Sequence, residues 1–145
     1  MSAELADLRL TPQRRAVLDV LRSSHDHPSA ANVLERCRQR TPGIGAATVY
    51  RSLAHLVSTG QALELHLGNG AARYDANIEH HDHVVCDSCG AALDVPADVS
   101  GSADALAKRV RELASSNGFD VTSYDLRFHG QCSTCRSQVP YDLSD

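Results

Sequence analysis

The chain has 145 residues, with 14 basic and 18 acidic side chains, a net charge of −4, 42% hydrophobic and 4% aromatic residues. That is one ordinary domain or two small ones, and the lack of a long apolar run argues against a membrane span. With no signal peptide and no lipidation motif, a cytoplasmic protein is expected, and an odd count of five cysteines suits a reducing compartment. The charge is unevenly divided. Residues 1–75 hold nine Arg against seven acids, a net of +2, whereas residues 76–145 hold five basic side chains against eleven acids, a net of −6. A basic front half followed by an acidic, metal-binding back half fits this division, although charges of this size often only solvate a surface.

Residues 11–23 predict a helix, with Thr11 as its cap, Pro12 at the first helical position and Val17, Leu18 and Leu21 on one face. A loop over 23–28 carries His25 and His27. Ser29 starts a second helix whose Ala30, Val33, Leu34 and Cys37 recur at i, i+3, i+4 and i+7, which makes Cys37 a core thiol. Thr41-Pro-Gly43 ends it. A third helix is expected from about Ala46 to Thr59, with Val49, Leu53, Leu56 and Val57 inward, Thr48, Arg51, Ser52 and His55 outward, and Tyr50 near its start. Two short strands, 62–67 and 72–75, follow around the turn Gly68-Asn-Gly70. Three helices and a hairpin make a winged helix, whose third helix enters the major groove while the hairpin touches the backbone. Equally, a small helical domain can have a polar helix face that is merely wet.

The stretch from Asp75 to Asp94 concentrates chemistry. His81 and His83 are two apart, so in a strand they share a face. Cys86-Asp-Ser-Cys89 is a C-x-x-C pair, and Cys132-Ser-Thr-Cys135 is a second. Such pairs also occur as disulfides or redox motifs. Four of five cysteines in two matched pairs favour one tetrahedral structural Zn(II) site. Beside it lies a sulfur-free set of imidazoles and carboxylates. Strands are expected at 83–86 and 92–95, then a helix over 103–116 that buries Leu106, Val110 and Leu113, then a strand in which Tyr124, Leu126 and Phe128 alternate. So short a half has little core of its own, and zinc and a partner subunit would supply the missing stability.

In order and spacing, Leu10-Thr-Pro-Gln-Arg14, His27-Pro28, Ala47-Thr-Val-Tyr-Arg51, Ala72-Arg-Tyr-Asp75, His80-His-Asp-His83 and the two C-x-x-C pairs resemble the ferric uptake regulator (Fur) family of bacterial metal-dependent repressors, over nearly the whole chain. The resemblance implies an α+β protein with a winged-helix DNA-binding domain at 1–75, a hinge at 76–82 and a small α/β dimerisation and metal-binding domain at 83–145. It implies a homodimer on a palindromic double-stranded DNA operator, no membrane partner and no enzymatic activity. The regulatory ligands it marks are His27, Asp75, His81, His83 and Asp94, which suit Fe(II), Mn(II) or Zn(II), with Fe(II) or Mn(II) expected. The DNA-contacting residues it implies are Arg14, Arg15, Thr48, Tyr50 and Arg51.

Residue types narrow the branch. Zinc sensors of the family tend to have Cys where Asp75 stands and iron sensors Glu, so Asp75 with Asp94 is similar to the peroxide-sensing (PerR-like) branch, in which oxygen from peroxide ends on a ligand histidine. His27 and His81 stand at those oxidation positions. Other features differ. Gly45 occupies the place of a capping Ser. His80 and Asp82 match a second site of iron sensors, but Tyr124 replaces one of its histidines, and His66 lies near a position that nickel sensors use. The rival within the family is a metal-uptake repressor for iron, manganese or nickel. A zinc hydrolase on His81, His83 and Asp75 lacks a placed glutamate base, and a zinc-ribbon interaction module leaves Arg14, Arg15 and Arg51 unexplained.

Overall fold

The computed structural model describes residues 9–68, 70–99 and 103–138. The chain divides into two compact units, Met1–Glu79 and His80–Asp145, and no described helix is long and apolar enough to cross a membrane.

Among the described residues, the first unit has three helices, α1 (Pro12–Arg22), α2 (Ala30–Arg40) and α3 (Ala46–Ser58), then a hairpin of β1 (Leu63–Leu65) and β2 (Arg73–Asp75). Each helix starts where its sequence allows. Thr11 accepts the Arg14 N–H at 3.3 Å, and Ser29 and Asn32 form a reciprocal capping box. The helices close on Val17, Leu18, Leu21, Val33, Val49, Leu53 and Leu56, each nearly sealed from solvent. Cys37 belongs to this core, and burial pushes its thiol pKa up. Ser52 departs from the expected outward face. It is buried and its hydroxyl donates to the Thr48 carbonyl at 2.7 Å, which satisfies the hydroxyl within the helix and lets a small polar residue sit inside. The hairpin is antiparallel, with Leu63 opposite Asp75 and Leu65 opposite Arg73. Its strands have three residues each, shorter than the apolar pattern suggests. The expected turn at 68–70 includes Asn69, which lies outside the described residues.

Gly45 leaves α3 without a side-chain cap. Its backbone (φ −85°, ψ 154°) already has the extended conformation of a capping residue, and an added Cβ would meet nothing within 4 Å. Gly45→Ser should therefore stabilise the first unit by about 0.5–1 kcal/mol, through the new cap and a less flexible unfolded chain. A melting temperature that does not rise would show that the hydroxyl makes no cap.

The second unit is a three-stranded sheet in the order β4–β3–β5, with β3 (His81–Cys86) central, β4 (Ala92–Pro96) antiparallel to it and β5 (Arg127–Gly130) parallel. A helix α4 (Ala103–Ser116) precedes β5, and a short α5 (Ser133–Ser137) follows it. Two expectations fail here. Leu106, Val110 and Leu113 are not buried but 55%, 46% and 68% exposed, and Ala107 is the buried residue of that helix. Periodicity reveals an apolar face without saying whether the same chain covers it, and among the described residues Val121, Tyr124 and Leu126 line only part of this one. The last strand also starts later than expected, at Arg127, leaving Tyr124 and Leu126 outside it. Instead of joining the ladder, the Leu126 N–H donates to Asp82 Oδ1 at 3.0 Å.

Candidate metal centres

The two C-x-x-C pairs lie at one end of the sheet. Cys86 ends β3, Cys89 lies in the turn toward β4, and Cys132 caps α5, which carries Cys135. Their four sulfurs all lie within 4.8 Å of one another, and none is in a disulfide. Cys89 Sγ and Cys132 Sγ are 3.8 Å apart. Four sulfurs at about 2.3 Å from a tetrahedral zinc ion stand about 3.8 Å apart, so the donor set fits zinc. The sulfurs do not ionise alike. Backbone N–H groups of Cys132 and Cys89 aimed at Cys86 hold its thiol down to about 6, with the Cys132 N–H at 3.3 Å. Cys135, surrounded by the sulfurs of Cys132, Cys89 and Cys86, is pushed up to about 12. A fourth thiolate therefore needs a cation beside it, so zinc uptake should release protons and weaken as pH falls. Near these sulfurs, His129 Nδ1 lies 2.8 Å from Asp87 Oδ1, and the Asp87 N–H donates to Gly130 at 2.9 Å, tying the first C-x-x-C loop to β5.

The sulfur-free donors form a half-site in each unit. In the first unit, His27 Nε2 lies 3.4 Å from Asp75 Oδ2, with His27 4% exposed. Asp75 ends β2, and His27 sits in the loop before α2 at φ +49°. That left-handed backbone costs about 1–2 kcal/mol in a non-glycine residue, though histidine tolerates it better than most. The loop is held from both sides. Arg36 on α2 makes a two-pronged ion pair with the Asp26 carboxylate and also donates to Ser24 Oγ at 2.8 Å; the Arg36 contact lowers the Asp26 pKa. From β2, Arg73 donates through Nε to the His27 carbonyl and at 2.8 Å to the Asp26 carbonyl, while the Tyr74 N–H donates to the Pro28 carbonyl at 3.0 Å.

In the second unit, the two-residue spacing puts His81 and His83 on one face of β3, with ring centroids 4.8 Å apart. The antiparallel register sets Asp94 opposite His83, and Asp94 Oδ1 lies 3.4 Å from Nε2 of both histidines. Donors sharing a first-row ion at about 2.1 Å stand about 3.0–3.4 Å apart, so each half-site fits part of a coordination sphere of nitrogen and oxygen. Asp82, between these histidines in sequence, is fully buried on the other side of the strand. His80 Nε2 is 3.7 Å from it, and the Tyr124 ring lies edge-on to His80 at 4.9 Å. A tyrosine has no ring nitrogen to add to this pair, and Tyr124 donates its hydroxyl to Asp104 at 3.2 Å. His66 is exposed on the hairpin, 3.6 Å from Glu64.

On α3, Tyr50 is 52% exposed beside an exposed Arg51, and Thr48 is half-buried; Arg14 and Arg15 are half-buried in the first turn of α1. A winged helix with an aromatic, a guanidinium and a hydroxyl on its third helix can read base edges. Ferric uptake regulator family features match residues 5–129. The chain belongs to the ferric uptake regulator family. Family relatives include the peroxide-responsive repressor PerR of Staphylococcus epidermidis, 32% identical over 137 residues, spanning 94% of this chain and 87% of the relative. Among solved family structures, the ferric uptake regulator of Francisella tularensis with iron superposes with a TM-score of 0.72 at 28% identity, covering 88% of this chain and 94% of that one. A zinc uptake regulator complexed with zinc and DNA gives 0.64 at 26% identity, covering 89% and 84%. The family's mixed helix and sheet architecture is the one described above.

The sequence reading missed the two arginines that frame His27. Arg73 belongs to a quoted motif without an assigned role, and Asp26 and Arg36 are ten residues apart, with nothing in their spacing to pair them.

Proposed function

We propose that this regulator is a metal-dependent DNA-binding repressor that senses peroxide through Fe(II). The observation that carries the reading is the pair of half-sites, His27 with Asp75 and Asp94 with His81 and His83, each a nitrogen and carboxylate set without sulfur. The five would hold one regulatory Fe(II) or Mn(II), while Cys86, Cys89, Cys132 and Cys135 hold structural Zn(II). Donors drawn from both units give the ion unequal affinity for different arrangements of those units, so metal binding selects one arrangement. In a homodimer, that arrangement fixes the separation of two α3 helices, which a palindromic operator matches through its half-site spacing. The exposed Leu93, Leu106, Leu113, Phe119 and Phe128 of the second unit support pairing with a second copy. Fe(II), when bound, supplies the chemistry that splits peroxide. Aspartate at both carboxylate positions and the 32% identity to a peroxide-responsive repressor favour this branch.

A second reading, an iron-, manganese- or nickel-responsive uptake repressor without peroxide sensing, draws on the His80–Asp82 pair. Operator binding with Fe(II), Mn(II), Zn(II) and Ni(II) in turn, before and after peroxide, separates the two. Binding that is lost after peroxide in the Fe(II) form alone supports sensing, and binding that peroxide leaves intact supports the uptake reading. Tyr50→Ala should lose about 1–3 kcal/mol on the operator and much less on a random duplex, as a base contact does. Arg15→Ala should weaken both duplexes alike and flatten the salt dependence, as a phosphate contact does. Equal losses on both duplexes for Tyr50→Ala would remove its base-reading role.

A further inference from the structure

We propose that Arg73 is a positioning residue that builds the His27–Asp75 half-site from the wing, so that the strand carrying one ligand also fixes the other. The inference rests on the metal-site reading above and adds a residue to it. Three consecutive carbonyls around the left-handed His27 are gripped from β2: those of Asp26 and His27 by the Arg73 guanidinium, and that of Pro28 by the Tyr74 N–H at 3.0 Å. Ser29 and Arg73 also form an isolated antiparallel bridge, so the loop enters α2 as a short extension of the wing. The next residue after Tyr74 is Asp75, whose Oδ2 lies 3.4 Å from His27 Nε2.

Two donors in a planar fork hold two carbonyls at a fixed distance, which a single ammonium cannot do. The grip aims the His27 imidazole at Asp75 in advance, and ligands oriented in advance bind metal more tightly than ligands that must be ordered. It also makes the wing an obligatory partner of the half-site. Loosening β2 loosens His27, and by reciprocity metal bound at His27 and Asp75 firms the wing. Arg36 supports the same loop from α2 through Asp26 and Ser24, so it is a second and independent hold.

The test measures Mn(II) affinity of zinc-loaded full-length protein by competition with a chelator, in wild type, Arg73→Lys, His27→Ala and the double variant. Arg73→Lys keeps the charge and loses the fork. It should weaken Mn(II) about 10–100-fold with zinc content unchanged, and add little once His27 is already alanine, because its effect runs through His27. Equal weakening by Arg73→Lys in both backgrounds, or none in the wild type, overturns the proposal. If His27→Ala itself leaves Mn(II) affinity unchanged, the five-ligand reading has failed, and the proposal, which rests on it, falls with it. Should Arg73→Lys fail to fold, Arg73→Gln, which keeps an N–H donor but loses the fork, makes the same cycle. It should weaken Mn(II) in the wild type and add little beside His27→Ala, and equal effects in both backgrounds would again overturn the positioning role.

Discussion

Cys86→Ser is expected to abolish zinc binding and to unfold or monomerise the second unit, whereas Cys37→Ser should leave the zinc in place. Among the described residues, the buried apolar side chains of the second unit are few, with Val85, Cys86 and Ala107 the ones almost fully sealed, while the first unit closes on a dozen. Burying a large aliphatic side chain contributes about 1.5–3 kcal/mol. Structural zinc in small domains contributes about 10–16 kcal/mol of apparent binding free energy at neutral pH, much of which is folding free energy. The ion would also staple the end of β3 to α5 across more than forty residues of chain, since Cys89 and Cys132 are that far apart in sequence. Cys37 lies in the other core, on α2 among Val33 and Leu53, so its hydroxyl replacement should cost the first unit about 1–3 kcal/mol and no zinc. Zinc content by metal analysis, mass in solution and thermal melting check both variants. A zinc-free Cys86→Ser protein that stays dimeric and melts unchanged would refute the structural role.

The elements that could be read from the sequence were those whose cause is local. Thr11 and Ser29 announce helix starts because a capping hydroxyl acts within three residues. His81 and His83 share a face because strand periodicity is two, and the C-x-x-C pairs converge because zinc chemistry demands it. What the sequence hid depends on partners distant in the chain. Asp94 faces His83 through a strand register that neither residue encodes alone, so only the family resemblance, and not spacing, placed it with the histidines. Leu106, Val110 and Leu113 carry a clean apolar period, yet whether the cover belongs to this chain or a second copy is not a property of the period. Ser52 looked polar and outward because its hydroxyl's bond to Thr48 is invisible to a hydrophobicity pattern. Arg73 escaped notice because its use of backbone carbonyls leaves no complementary side chain in the sequence.

Peroxide is expected to inactivate the Fe(II) form and spare the Mn(II) form. His27 and His81 are 4% and 8% exposed, so if both held the proposed Fe(II), an oxidant formed there would meet a ligand ring before it met solvent. Peroxide gives one oxygen to a ring carbon and leaves as water, and a ring so altered is a poorer ligand. Losing one of the five proposed donors would remove the preference for the operator-matching arrangement, so DNA binding should fall in step with oxidation. Mn(II), far less prone to that chemistry, should preserve binding under the same dose. Asp94 Oδ1 stands 3.4 Å from both His81 and His83, so Asp94→Glu, one methylene longer, should shift that carboxylate relative to the rings. Repression should survive the change while peroxide sensitivity drops. The deciding measurement is peptide mass spectrometry on Fe(II)-loaded protein after peroxide, with operator binding followed in the same samples. The account predicts one added oxygen on the peptide containing His27 or His81, with DNA binding lost in proportion. Oxygen found only at Cys37 or the zinc thiolates, with both histidines intact, would contradict it and leave a metal-uptake repressor.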